Sequence, residues 1–210
     1  MSKSLGNTII PDDVVKQYGA DILRLWVASS DYHADIRVSP DILKQMSEVY
    51  RKIRNTARFI LGCIPDFDPN KDCVTDDMLE EVDRYALMRL NDVVKASIDG
   101  YENFEFHMIF HAIHNFCVID MSNFYLDVIK DRLYVEKSDS VTRRAAQTTI
   151  YRVLDTITRL VAPILAFTSE EIWKFMPHDS SCNTESVLFN EMPKPKANVD
   201  EALVARWDRI

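Results

Sequence analysis

The sequence predicts a mainly α protein, an antiparallel helical bundle preceded by a small mixed junction region. Two observations carry this prediction. Only four glycines occur among 210 residues, which argues against a glycine-rich β architecture. Several stretches of the chain repeat apolar side chains at intervals of three and four residues, which is the spacing of one face of an α-helix. Amphipathic helices of this kind bury their apolar faces against one another, here in a bundle of about five helices.

The short elements at the start of the chain predict the junction. The isoleucine before Pro11 avoids the α region, so that the chain is extended there. A short helix follows to Tyr18, where Gly19 ends it. Residues 20–29 have the pattern of a second short helix, and residues 31–39 form a polar connector. Residues 1–40 are therefore separated from a bundle predicted over residues 41–177.

The first long helix carries two different faces. Ser39 is a suitable cap and Pro40 a suitable first residue for a helix that runs to about Leu61 and stops at Gly62. At 100° per residue, one face is apolar and consists of Val49, Ile53, Thr56, Ala57 and Ile60. The opposite face carries Arg51, Arg54, Asn55 and Arg58. A solvated basic face would explain this stripe, but three arginines favour phosphate, which their planar guanidinium groups bind in a bidentate manner.

Three further long helices belong to the predicted bundle. Thr75-Asp76-Asp77 is expected to cap a helix from Met78 to about Asp99, which Gly100 ends. Residues 104–133 are dense in aromatic side chains and predict one long central helix, with Lys130 and Arg132 in its last turn. Those two cations suit either the negative end of the helix dipole or a contact to a nucleic-acid backbone. Residues 141–161 predict another amphipathic helix.

The end of the chain is less regular. Thr168 and Glu171 have the spacing of a capping box for a short helix through Phe175. Residues 178–199 are polar and contain two prolines, and Val187-Leu188-Phe189 within them is predicted to form an extended patch. Residues 178–210 as a whole are interpreted as a polar connector. The last residues, from Ala202, have the pattern of the start of another helix.

The amino-acid composition excludes some classes of binding partner. Hydrophobic residues make up 47% and charged residues 28%, which is ordinary for a globular domain. The net charge of −8 argues against general coating of polyanions, so that any nucleic-acid contact needs a local cationic stripe. No apolar run approaches the roughly 18 residues of a membrane span. Four cysteines without close spacing predict reduced thiols and a cytoplasmic protein.

Three histidines raise the question of a metal site. His107, His111 and His114 follow one another at spacings of four and three on one predicted helical face. One helix rarely supplies three ligands to one ion without strain. In addition, no acidic residue lies at the same helical spacing from these histidines. Packed or hydrogen-bonded histidines are the favoured interpretation, and no metal site is predicted.

The first residues of the chain have side chains that can bind a phosphate group. In Met1-Ser2-Lys3-Ser4 two hydroxyl groups flank a mobile ammonium group, and Gly6 follows shortly after. Such a loop can stabilise the charge that grows on a leaving pyrophosphate. A solvated tail is the alternative that these residues leave open by themselves.

Several motifs, in this order, resemble the class I aminoacyl-tRNA synthetases downstream of their catalytic domain. They are the opening loop, Gly19-Ala20-Asp21, Tyr50-Arg51-Lys52-Ile53-Arg54-Asn55-Thr56, Lys130-Asp131-Arg132-Leu133-Tyr134 and Thr168-Ser169-Glu170-Glu171-Ile172-Trp173. The opening resembles the Lys-Met-Ser-Lys-Ser motif of that class without its first lysine. The residues of these motifs are most similar to those of the isoleucyl enzymes, although the valyl and leucyl enzymes share some of them.

The resemblance implies roles for particular residues. Met1, Ser2, Lys3 and Ser4 would belong to the ATP-binding loop, and Lys3 would be catalytic in the whole enzyme, which uses ATP and Mg²⁺. The helical bundle would bind the anticodon stem-loop of isoleucine tRNA. Its tRNA-binding residues would be Arg51, Arg54, Asn55, Arg58, Lys130 and Arg132.

The resemblance also implies that these residues are a C-terminal portion of a longer enzyme. The catalytic, editing and C-terminal domains of the same chain would be their partners. We therefore expect no ligase activity from the 210 residues by themselves. A helical protein–protein interaction module with an arginine stripe is the alternative from another functional class, and a histidine-based metal-binding bundle is a weaker one.

Overall fold

The computed structural model describes residues 8–197 and 200–207. Among these residues there is no strand, and the prediction of a mainly α antiparallel bundle is confirmed. The helices are, in chain order, α1 (Pro11–Tyr18), α2 (Ala20–Ala28), α3 (Pro40–Cys63), α4 (Glu81–Glu102), α5 (Phe106–Asn115), α6 (Leu126–Val128), α7 (Lys130–Tyr134), α8 (Val141–Val161), α9 (Ala166–Phe175) and α10 (Glu201–Trp207).

Contacts between helix ends show how the bundle runs. Gln147, near the start of α8, donates from Nε2 to the carbonyl of Cys63, at the end of α3, over 3.0 Å. Tyr101, near the end of α4, donates from its hydroxyl to the carbonyl of Leu160, at the end of α8, over 2.7 Å. The long helices α3 and α4 therefore run antiparallel to each other, and α8 runs antiparallel to α3.

One continuous apolar core lies between these helices. It takes side chains from every long helix, including Ile53 of α3, Leu90 of α4, Ile109 of α5, Leu154 of α8 and Trp173 of α9. Burial of apolar surface is the main stabilising contribution to such a bundle. Within the described ranges, no helix combines the length and the apolar character needed to cross a lipid bilayer.

The start of α3 agrees with the prediction. The hydroxyl of Ser39 accepts a hydrogen bond from the amide of Ile42 over 3.2 Å, and Pro40 is the first residue of the helix. The helix ends at Cys63 instead of about Leu61, since Gly62 continues it. One glycine costs a helix only about 1 kcal/mol, and the packing of the last turn outweighs this.

The predicted start of α4 is wrong by one turn. Residues 76–78 form a separate 3-10 turn, and the helix begins at Glu81. Glu80 and Asp83 form a capping box in which the side chain of Asp83 accepts from the amide of Glu80 over 3.1 Å. The helix also continues past the predicted stop at Gly100, to Glu102.

The predicted single helix over residues 104–133 is interrupted. Phe116–Tyr125 is a wider, π-helical segment between α5 and α6, and Ile129 separates α6 from α7 with ψ near 2°. In the wider turn, Ser122 Oγ lies 2.8 Å from the carbonyl oxygen of Cys117, five residues earlier. Thr56 of α3 also donates to that oxygen over 3.3 Å. A side chain from a neighbouring helix therefore binds a carbonyl within the π-helical segment, and side chains that insert into the regular helical ladder are a known cause of such irregularities.

Two predictions about the C-terminal part are also wrong in detail. Val187–Phe189 forms a 3-10 turn and is not extended. Thr168 does not cap α9, which begins at Ala166. Its amide and hydroxyl instead donate to Asp21 of α2, the amide over 2.8 Å. A carboxylate from a distant part of the chain thus binds amides of the first turn of α9, where negative charge is favourable.

Gly100 is needed for the close approach of α4 and α5. A Cβ atom at this position would lie 2.6 Å from Cγ1 of Ile109 and 3.2 Å from the carbonyl oxygen of Glu105. We expect Gly100→Ala to lower the free energy of unfolding by about 1–3 kcal/mol, because the two helices would have to separate. Urea denaturation of the variant checks this prediction.

Gly62 provides the matched control. It also lies inside a helix, but beyond the neighbouring backbone of that helix no described heavy atom lies within 4 Å of a Cβ atom built there. Gly62→Ala should leave stability unchanged or raise it by up to about 1 kcal/mol, through helix propensity alone. Equal effects of the two substitutions would contradict the packing argument.

Candidate nucleic-acid interface

The two predicted faces of α3 are present in the structure. Ile53, Thr56, Ala57 and Ile60 are buried, and Val49 is partly buried against the core. Arg51, Asn55 and Arg58 are exposed, while Arg54 is partly buried. The helix therefore presents its cationic stripe to solvent over two turns.

The three arginines of this stripe are only weakly engaged with the rest of the protein. Arg51 forms an ion pair with Glu48 over 2.6 Å, and both side chains are exposed. Arg54 lies 3.6 Å from Glu171 of α9. Exposed pairs of this kind are worth about 0–1 kcal/mol, so an incoming phosphate can displace them. Arg58 forms no ion pair or side-chain hydrogen bond with any other described residue.

A shallow groove of about 250 Å³ lies between α3 and α9. Arg54, Arg58 and Leu61 form the α3 side of the groove. The α9 side consists of Thr168, Glu171, Ile172 and Phe175. Two cations, one carboxylate and an exposed aromatic ring thus share one concave surface beside the arginine stripe.

Lys130 and Arg132 occupy different environments from the stripe and from each other. Lys130, on α7, is half exposed, and its ammonium lies 2.6 Å from a carboxylate oxygen of Asp127. That hydrogen bond raises the pKa of Lys130, so the side chain is cationic at neutral pH. Its position is compatible with a phosphate contact, which stays a prediction.

Arg132 is held inside the bundle. Its side chain is only 13% exposed, and its Nη1 and Nη2 atoms bind the two carboxylate oxygens of Asp83 over 2.9 and 2.7 Å. Nη2 also donates to the carbonyl of Thr142 over 2.8 Å. The hydroxyl of Tyr125 donates to the same carboxylate of Asp83 over 2.6 Å. These contacts occupy most of the hydrogen-bond donors of Arg132, and its assignment to the tRNA-binding residues stays a prediction.

The junction is fixed to the bundle by a second set of polar contacts. Arg24 of α2 donates from Nε to the carbonyl of Ile164 over 2.9 Å, and from Nη2 to that of Pro163. Thr168, which binds Asp21, also lies 3.0 Å from the hydroxyl of Tyr50 on α3. Arg24 of α2 thus binds the connection between α8 and α9, while Asp21 of α2 and Tyr50 of α3 bind the first turn of α9. Together these contacts set the position of α9 beside the arginine stripe.

The three histidines lie in different environments, since His111 is exposed whereas His107 and His114 are partly buried. The ring of His114 stacks on Phe110 with centroids 6.0 Å apart, and His107 lies 3.3 Å from Glu105. Burial lowers the pKa of His114. Among the described residues, no group of three or more histidine, cysteine or acidic side chains is placed to hold a metal ion. The predicted ATP-binding residues Met1, Ser2, Lys3 and Ser4 lie outside the described residues.

The sequence prediction does not include Glu171 and Phe175 as site residues. In the sequence, both residues belong to a short helix with a predicted cap, and nothing in the neighbouring residues marks them as part of a binding site. Phe167, Glu171 and Phe175 follow one another at intervals of four, which places them on one side of α9. Two phenylalanines on the polar side of an amphipathic helix are a signal that could have drawn attention to α9, although of the two Phe175 alone lines the groove.

Comparison with known proteins identifies the family. The family described as the anticodon-binding domain of tRNA ligase matches residues 83–210, which is more than half of the chain. This chain belongs to that family. The family of class I tRNA synthetases for I, L, M and V matches residues 1–39, the region upstream of α3.

Curated relatives of this anticodon-binding domain are isoleucine-tRNA ligases. That of Syntrophotalea carbinolica is 56% identical over 211 residues, which covers 100% of this chain and 22% of the relative. That of Caldanaerobacter subterraneus subsp. tengcongensis is 54% identical and is covered to 23%. The chain thus spans under a quarter of the length of these relatives.

A solved structure supports the fold. The LeuRS of Agrobacterium radiobacter K84, in a ternary complex with tRNA and LeuAMS, matches 97% of this chain with a TM-score of 0.69. The match covers 22% of that protein, and the sequences are 23% identical. The helical architecture is therefore shared, although few of the side chains are.

Proposed function

We propose that this chain is the tRNA-binding portion of an isoleucine-tRNA ligase and that its α3 surface contacts the backbone of the anticodon stem-loop of isoleucine tRNA. The observation that carries this proposal is the arginine stripe of Arg51, Arg54 and Arg58. It is solvent-facing, and its side chains have weak partners or none among the described residues. Phosphate contacts position a protein on a nucleic acid, and arginine is well suited to make them.

The whole enzyme would attach isoleucine to its tRNA with ATP through an aminoacyl-adenylate. The relatives that are isoleucine-tRNA ligases support this proposal over the whole length of the chain. In that enzyme, Met1 to Ser4 would contact ATP, with Lys3 as the catalytic residue, and Mg²⁺ would accompany the nucleotide. Residues 1–40 would join the catalytic domain to the bundle of residues 41–177, and residues 178–210 would lead away from it.

Removal of the stripe tests the proposal. We expect the triple variant Arg51→Ala/Arg54→Ala/Arg58→Ala to bind isoleucine tRNA roughly ten- to a hundredfold more weakly at low salt, because up to three phosphate contacts are lost. The slope of log affinity against log salt concentration should fall by about three. Binding titrations at several salt concentrations measure both quantities.

The control removes the same charge elsewhere on the surface. Lys71, Lys194 and Arg206 are also exposed and also form ion pairs with nearby carboxylates. The variant Lys71→Ala/Lys194→Ala/Arg206→Ala should retain most of the affinity. Equal losses in both triple variants would show a general effect of net charge and would contradict the assignment to α3. Tight binding to a protein, without affinity for RNA, would favour the interaction module instead.

A further inference from the structure

Phe175 is an exposed aromatic residue whose position the fold fixes firmly. It is the last residue of α9 and is 73% exposed. Ile172, Trp173 and Met176 around it are buried, so that the backbone which carries the ring cannot easily move. Among the described residues, no other aromatic ring packs against it. Folding gains little from this side chain, and its apolar surface is available to a ligand.

The surroundings of Phe175 favour an anionic ligand with a flat apolar part. Arg54 and Arg58 line the same groove, and Glu171 offsets only one of the two positive charges. A purely apolar protein segment seated on the ring would cover Arg58 and leave its charge without an acceptor, which is costly. A nucleotide can contact both the cationic and the aromatic side chains of the groove, since its phosphate can bind a guanidinium group while its base stacks on an aromatic ring.

We propose that Phe175 is a stacking platform for an unpaired RNA base, with Arg58 binding the neighbouring phosphate. The inference rests on the proposed function, since it places loop nucleotides of the tRNA in the groove that continues the arginine stripe. A paired base inside a stem offers its faces only to its stacked neighbours. An unpaired base in a loop can splay out and cover the ring. The groove, at about 250 Å³, admits one such group.

The test compares two RNA probes. The first is the anticodon stem-loop of isoleucine tRNA, with the fluorescent base 2-aminopurine placed at one loop position at a time. The second is a blunt duplex of the stem sequence alone. We expect Phe175→Ala to weaken stem-loop binding roughly 5- to 150-fold, as the loss of one stacked base predicts, and to leave duplex binding unchanged. The unmodified protein should quench 2-aminopurine at one loop position, and this quenching should disappear in Phe175→Ala.

Two further variants make the result specific. Phe175→Trp keeps an aromatic platform and should restore both the affinity and the quenching. Phe167→Ala removes a ring from the same helix that is 69% exposed but does not line this groove, and it should change neither.

The outcomes separate the inference from the proposed function. If the arginine variants lose RNA binding but Phe175→Ala retains full stem-loop affinity, the stacking platform is wrong and the proposed function stands. The platform is equally wrong if Phe175→Ala weakens binding of the duplex as much as binding of the stem-loop. If the unmodified chain binds neither probe at low salt, both the platform and the RNA-binding role of this chain are wrong.

Discussion

Replacement of Arg132 by methionine should lower the free energy of unfolding by about 3–5 kcal/mol, which is the usual effect of removing one partner of a buried ion pair. Asp83 has no exposed side-chain surface, and both of its carboxylate oxygens bind the guanidinium group of Arg132. Without that group, the donors to the buried charge that remain among the described residues would be the hydroxyl of Tyr125 and the amide of Glu80. Urea denaturation followed by circular dichroism measures the loss.

The same variant separates the two roles considered for Arg132. Asp83→Asn added to Arg132→Met should recover part of the lost stability, because it removes the uncompensated charge. Under conditions where Arg132→Met remains folded, its affinity for tRNA should match that of the unmodified chain. Full stability together with weakened tRNA binding would show instead that Arg132 contacts the RNA backbone, as its place in the sequence pattern suggests.

Arg132 and the stripe on α3 show what a sequence pattern can and cannot predict. The stripe can be predicted because its residues belong to one helix. Each residue of a helix is rotated by 100° from the one before it, so the spacing along the sequence determines which side chains share a face. The environment of Arg132 depends on Asp83, which lies 49 residues earlier in the chain. A cation in a last helical turn has the same local pattern, whether it faces solvent or a buried carboxylate.

The errors in helix boundaries have the same origin. The spacing of Thr168 and Glu171 is that of a capping box, but Asp21, 147 residues away, binds the amide of Thr168 instead. Gly100 has the usual signal of a helix stop, yet it lies inside α4 because Ile109 must approach the backbone there. In both cases a contact from a distant part of the chain overrides a local preference, whereas the apolar periodicity of each helix already predicts which face is buried.

Trp173 is expected to have the other large effect on stability. Its side chain has no exposed surface, and Nε1 donates to the carbonyl of Asn183 over 3.1 Å. The guanidinium carbon of Arg159 lies 5.2 Å from the centroid of the indole ring, and the centroid of the His178 ring lies 4.4 Å from it. We expect Trp173→Ala to lower the free energy of unfolding by about 3–5 kcal/mol, through the cavity and the lost contacts. Urea denaturation measures this loss as well.

Phe175, two residues further along α9, is the natural comparison for Trp173. Its ring faces solvent, so Phe175→Ala should change the free energy of unfolding by no more than about 0.5 kcal/mol. Trp173 holds the buried side of α9, whereas Phe175 and Glu171 lie in the groove beside α3. Trp173→Ala should therefore weaken RNA binding through loss of the folded groove, and Phe175→Ala should weaken it at unchanged stability. A stable Trp173→Ala variant, within about 1 kcal/mol of the unmodified chain, would contradict the view that this tryptophan fixes α9 and the groove on its opposite side.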